Sequence, residues 1–357
     1  MAAVTHRQAD ATVRPTTLPV WVLAAALLSL AGAMTVGVLV GPVDLPASAV
    51  LKEILNRLPF VSLHSGLSHL DAAIIWQLRV PRVVLAGLVG ATLATAGASY
   101  QGAFRNPLAD PYLLGVAAGA GLGATLVVVL LPASEVGWPV DPLPLAAFGG
   151  ALLAVGATYL LGRSGARTRG AASLILAGVA VAAFFTAAQT MLQQQHADTL
   201  REVYSWILGG LETAGWGKVV LILPYVAVSG LVLLLHRRLL DVMSIGDEEA
   251  DSVGIRADRV RLSVVTAATL GTAAAVAVSG LIGFVGIIIP HSVRLLTGPS
   301  YRRILPLSVI YGAAFLILAD VVARTALSPA EIPLGVITAS VGAPFFLLVL
   351  RRTRRLS

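Results

Sequence analysis

The sequence predicts an all-α polytopic membrane protein with about ten transmembrane helices and both termini cytoplasmic. Three observations carry that expectation. First, 57% of the 357 residues are hydrophobic and only 12% are charged, with a mean hydropathy of +0.86. Soluble domains carry about 25% charged residues, so this supply cannot cover a water-exposed surface. Second, the apolar runs are about 20 residues long, the length a helix needs to cross a ~30 Å hydrocarbon core. They are apolar all round, whereas barrel strands would alternate, and lipid admits only helices or closed barrels. Third, the arginines are distributed unevenly between alternate connections.

Taken in order, the spans run from about Leu18 to Val40, Val83 to Ala103, Tyr112 to Leu131, Leu143 to Leu161, Leu174 to Gln193 and Val219 to Leu235. Leu262 to Ser279 follows, with its partner at Ile282 to Leu296. These two are separated because Ser279-Gly280 and Pro290 interrupt a stretch too long for one straight helix. Ile304 to Ala323 and Pro333 to Leu350 complete the set. Placing the N-terminus inside puts eighteen of the 25 Lys and Arg on cytoplasmic segments, as the positive-inside rule requires. An odd number of spans would strand the basic tail 351–357 outside, so an even count and a cytoplasmic tail 1–17 are expected.

The chain is expected to form one transmembrane domain over 1–357, with a periplasmic loop at 42–78 holding a short amphipathic piece from Ala49 to Leu58. A second soluble stretch, 236–261, packs Asp247, Glu248, Glu249, Asp251 and Asp258 with several arginines into a helix–Gly–helix pattern around Gly246 and Gly254. Helix connections are usually 2–8 residues, and longer ones are often functional.

Several chemistries are excluded or demoted. No Cys means no thiolate catalysis, iron–sulfur cluster or disulfide framework. The six His are scattered, with no H-E-x-x-H pair, so no metal site is expected and His291 is read as structural. No G-x-x-x-x-G-K-[ST] loop is present, so the chain binds no ATP of its own by that motif. The charge of +7 is spread along cytoplasmic segments, which argues against nucleic acid as a partner and for membrane lipid.

The glycines look like packing surfaces. Gly115, Gly119 and Gly123 repeat every fourth residue on one span, and Gly283 and Gly286 lie on another, a spacing that lets helices touch. In Arg105-Asn106-Pro107-Leu108-Ala109-Asp110-Pro111 the prolines break helix and Asp110 is placed to cap the next one. Pro290 and Pro344 interrupt apolar helices, and Asp320 with Arg324 at i,i+4 is expected to pair.

Leu78-Arg79-Val80-Pro81-Arg82, the run from Gln101 to Pro111, Gly283-Phe284-Val285-Gly286, Pro290-His291, Leu318-Ala319-Asp320, Glu331-Ile332-Pro333-Leu334-Gly335 and Gly342-Ala343-Pro344-Phe345-Phe346 occur in this order. Together they resemble the FecCD family, the iron-chelate and cobalamin uptake permeases of ATP-binding-cassette importers. The resemblance covers roughly Trp76 to Leu350. It implies a ten-helix subunit that works as a homodimer, two ATPase subunits that bind ATP and Mg, and a periplasmic substrate-binding protein. It implies no cofactor on this chain and no catalysis by it.

By the same resemblance, Arg79, Arg82 and Arg324 would receive carboxylates of the binding protein. Ile245, Gly246, Asp247, Ala250, Val253 and Gly254 would form the segment that couples to the ATPase. Asn106, Leu108, Ala171 and Ala172 would lie at a cytoplasmic gate, and Gln189, Gln193 and Thr338 are candidates to line the path. The expected cargo is haem or a ferric siderophore, with cobalamin next. Two alternatives stay open: an ion-gradient transporter, for which Asp320 is the candidate carrier, and a membrane-embedded lipid or prenyl transferase, for which the few carboxylates argue poorly.

Overall fold

The computed structural model describes residues 18–57, 59, 62–131, 141–164 and 171–354, and the tails 1–17 and 355–357 lie outside these. Helices α1 (Val20–Leu39), α2 (Ala47–Leu55) and α3 (His69–Ala73) lead through a π-helical turn at Ile74–Arg79 into α4 (Val80–Phe104). A 3₁₀ turn at Pro111–Leu114 precedes α5 (Val116–Leu130), followed by α6 (Pro142–Ser164), α7 (Ala171–Gln195), α8 (Leu200–Ile207) and α9 (Trp216–Met243). The remainder is α10 (Asp247–Ser252), α11 (Ala257–Ser279), α12 (Val285–Thr297), α13 (Tyr301–Thr325) and α14 (Leu334–Arg354). Among the described residues, seven helices are long and apolar enough to cross a membrane, and α5, α12 and α14 contribute three shorter apolar stretches.

Each expected span coincides with a helix, with corrections at the ends. The second starts well before Val83, because α3, the π-turn and α4 form one 36-residue helix from His69 to Phe104. The Ser68–Asp71 capping box starts it. Arg79 and Arg82 therefore sit inside a helix rather than ahead of one. The sixth extends past Leu235 to Met243, so about a third of the 236–261 stretch continues the helix and the charged connection proper is short. The amphipathic piece of the 42–78 loop is α2, and a second amphipathic helix, α8, carries no long apolar run to announce it.

The third and eighth expected spans are both half-helices. Tyr112 to Leu131 breaks at Gly115, which takes φ +86° between the 3₁₀ turn and α5. The 15 residues of α5 rise about 22 Å and the 13 of α12 about 20 Å, short of a ~30 Å core.

The bundle is built around α4, which packs on α9, α11, α12 and α13 and is buried along most of its length. Close approach is what its small residues allow. A Cβ on Gly97 would overlap the Gly286 carbonyl of α12, and one on Gly90 the Gly312 carbonyl of α13. The same contact pairs α5 with α6, where Gly119 and Gly150 face each other's carbonyls and Gly123 meets that of Ala146. Gly283, by contrast, has open space around it and Gly115 serves the turn, so only part of the expected packing glycines act as such.

Candidate functional site

At the end of the bundle away from α10, the Arg82 guanidinium is gripped on two edges. Its Nε lies 3.0 and 3.1 Å from the two Asp320 oxygens and its Nη2 2.8 Å from Oδ1. Nη1 and Nη2 donate to Glu331 at 2.9 and 2.6 Å. Arg324, one turn after Asp320 on α13, lies 3.5 Å from its carboxylate and donates to the Gly37 carbonyl at 2.5 Å. Arg79 donates to the carbonyls of Val38 and Leu39 at 3.0 Å each, and to that of Val43. The expected Asp320–Arg324 pair is present, and Arg79, Asp320 and Arg324 are all nearly inaccessible at 4%, 1% and 2%.

These arginines satisfy the unpaired carbonyls that end α1 and neutralise two carboxylates, joining α1, α4, α13 and the entry to α14. All three residues expected to receive a partner's carboxylates thus come together, each already engaged from within the chain, with Arg324 Nε left without a hydrogen bond. A partner reaching them would have to exchange for Asp320, Glu331 or the α1 carbonyls.

At the other end, α10 lies between Gly246 and Gly254 as the charge pattern suggested. Asp247 at its start accepts from Arg261 Nη2 at 2.8 and 3.0 Å, and Arg105 stands 3.6 Å away. The same Arg261 holds Asp258 at 3.0 Å and the Ala103 carbonyl of α4 at 3.1 Å. One buried guanidinium therefore ties α10 to α11 and to the end of the central helix. Ala250 and Gly246 face inward, while Ile245 and Val253 stand out at 72% and 66% exposed. Two apolar side chains flanking an acidic helix on a charged end form an exposed contact surface.

Beside this link, α4 ends at Arg105 in the left-handed region (φ +50°). Asn106 Oδ1 accepts from the Leu108 amide at 2.9 Å, forming an Asx turn that leaves Leu108 exposed. Ala171 and Ala172 open α7, and their side chains lie outside the described residues.

Between the two ends, the broken segments meet. The Tyr112 hydroxyl donates to the Ile282 carbonyl at 3.1 Å and accepts from its amide at 3.2 Å, closing the break before α5 onto the break before α12. Asp110 caps the 3₁₀ turn as expected, accepting from the Tyr112 amide at 2.9 Å. Its carboxylate shares a small cavity with Thr272, Ile282 and Gly286, well up along α4 beside Leu93. Phe284, the non-glycine residue at the second break, takes φ +68° and lays its ring against Gly342 of α14. His291 meets Phe345 of α14 edge-on at 5.8 Å, the interhelix role expected of it.

The three expected path residues are placed differently. Gln189, Gln193 and Thr338 are buried at 8%, 7% and 0%. Gln189 closes against Gly121 of α5, and Thr338 donates to the Gly335 carbonyl at 3.2 Å. The outward stripes of the same helices are Leu176, Val179, Ala183, Thr186, Thr190 and Gln194 on α7 and Val336, Ser340, Ala343 and Leu347 on α14. One sequence reveals that such a helix is apolar but not which side faces out.

A cavity of about 540 Å³ that sequence reasoning missed opens beside α8, between Asp141, Asp198, Glu202 and Glu212 on one hand and Arg201 and Lys218 on the other. The crowding of charge between residues 198 and 218 was its available signal.

With this geometry in view, comparison with known proteins is specific. The cobalamin import system permease of Halobacterium salinarum is 42% identical over 289 residues, 81% of this chain and 76% of that protein. The hemin transport system permease of Yersinia pestis is 37% identical over 290 residues, 78% of this chain and 84% of that protein. A solved metal-chelate type ABC transporter in an inward-facing conformation superimposes with a TM-score of 0.79 at 28% identity, covering 94% of this chain and all of that one. Relatives are permeases of importers for cobalamin, ferric citrate, hemin and hydroxamates. The family model for FecCD transport proteins matches residues 27–352, and this integral membrane chain belongs to that family.

Proposed function

We propose that this chain is the permease subunit of an ATP-driven importer carrying a metal chelate across the bacterial inner membrane by alternating access. The observation that carries the reading is the Asp247–Arg261–Ala103 link, by which a push on α10 reaches the central helix without passing through solvent. On this reading the α10 end is cytoplasmic, as its arginines require, and Ile245 and Val253 seat in an ATPase subunit that supplies ATP hydrolysis. The seven long and three short apolar helices then count as ten membrane segments with both termini inside.

The dimer follows from the stripes on α7 and α14, which leave two helices lightly covered. A second copy placed across them forms one path between subunits, lined in part by Thr186, Thr190, Gln194 and Ser340 rather than by Gln189, Gln193 and Thr338. Asn106 and Leu108, with the start of α7 at Ala171 and Ala172, form its cytoplasmic gate. These linings are apolar, hydroxylic or amide and uncharged, which suits a bulky chelate passed by shape: haem or a ferric siderophore first, cobalamin next. Arg79, Arg82 and Arg324 meet the binding protein by exchange of partners, Arg82 being the most accessible of the three at 12% of its side chain.

The test is reconstitution. Uptake of haem or a ferric siderophore that needs the cognate ATPase, ATP and the binding protein supports the reading. Uptake driven by a proton or sodium gradient with no ATPase overturns it. The gradient alternative has lost its first candidate, because Asp320 is held by two arginines.

A further inference from the structure

A groove of about 770 Å³ runs down the flank where α6, α9 and α11 meet. Its walls include Leu152, Val228, Val232, Leu262 and Thr266, and its floor opens at Gly156, where an added Cβ would meet no atom within 4 Å. The wall from Leu262 to Leu270 rises about 12 Å, close to the ~15 Å hydrocarbon depth of one leaflet. Leu262 follows the start of α11 closely, so the groove opens toward the α10 end.

That mouth is cationic. Arg259 precedes Leu262 and Ser263 by three and four residues and so lies on the same face of α11. Helical side chains lean toward the N-terminus, which carries its guanidinium out of the groove toward the interface. Nearby Asp258 is taken by Arg261, and among the described residues no carboxylate stands within ion-pair distance of Arg259.

We propose that this groove holds an acyl chain of an anionic phospholipid, with the headgroup phosphate on Arg259. Apolar walls of leaflet depth ending at an arginine that no carboxylate holds match that ligand and no neutral one as well. The proposal rests on the membrane embedding and on no transport step.

The experiment is native mass spectrometry of the purified permease titrated with phosphatidylglycerol or phosphatidylcholine of matched chains. The unaltered protein is expected to retain phosphatidylglycerol with a preference of roughly fivefold. Arg259→Gln should abolish the preference while leaving lipid bound. Gly156→Trp, which fills open space, should displace both lipids, whereas Gly32→Trp in open space on α1 should change neither. Equal retention of the two lipids by the unaltered protein overturns the proposal. So does undiminished retention by Gly156→Trp, and a shift in the dimer fraction of that variant would then assign the groove to a second copy. Lipid retention is read without ATPase or cargo, so its failure leaves the importer reading standing and failed uptake leaves this inference untouched.

Discussion

Arg82 and Asp320, 238 residues apart in sequence, share three contacts of 2.8 to 3.1 Å at the end of the bundle opposite α10. The pair lies at the α4–α13 seam, with Glu331 on the free side of the same guanidinium. A buried pair is not strongly stabilising compared with apolar residues, but removing one partner leaves an uncompensated charge. Its value here is specificity: it admits one register of α13 against α4.

Asp320→Ala should therefore destabilise the permease by about 3–5 kcal/mol, whereas Glu331→Gln, on a more exposed carboxylate, should cost about 1 kcal/mol. Thermal unfolding in detergent checks the order of the two. Equal losses would show that Asp320 is not the buried anchor.

Helix approach gives a paired prediction. Gly97→Ala places a methyl in the Gly286 carbonyl and should lower the yield of folded, monodisperse protein sharply. Gly149→Ala meets nothing within 4 Å and should change stability by less than about 1 kcal/mol. Size-exclusion profiles of the two variants distinguish a packing role from a merely compositional one.

Coupling should be separable from folding. Arg261→Gln removes the charge that holds Asp247 and Asp258 while keeping a donor for the Ala103 carbonyl. Uptake by the reconstituted complex should fall by about tenfold or more, the equivalent of one ~1.4 kcal/mol contact, with ATP hydrolysis continuing. A proportionate fall of both activities would place Arg261 in assembly with the ATPase instead.

Asp110 separates the two transport readings. As a cap it needs an acceptor oxygen, which Asn also supplies. Asp110→Asn should leave uptake within about twofold of the unaltered protein, and Asp110→Leu should reduce it with a loss of roughly 1 kcal/mol from the cap. Loss of uptake in the Asn variant would instead make this carboxylate an ion carrier.

Much of the candidate site was legible. The Gly246–Gly254 segment showed as an isolated run of acid among arginines, and the Asp110 cap as an Asp before a proline. Their signals are local, within one helical turn of the residue concerned. The occupied state of Arg79 and Arg82 was not, because their partners lie on or just after α1, on α13 and before α14; for Arg324 only the Asp320 pair one turn away was, and not the Gly37 carbonyl. The inward turn of Gln189 and Gln193 was equally hidden: a helix that is apolar on every side carries no period to say which side packs.

By itself the sequence determined the membrane class, the approximate spans and the charged end, since these follow from how many apolar residues occur in a row and where arginine falls between them. The half-length of α5 and α12, the Tyr112–Ile282 closure and the burial of the outer arginines were decided only in three dimensions. A broken helix inside a membrane survives when another segment supplies partners for its freed backbone groups. Those partners come from residues 170 positions away, and nothing in the local composition names them.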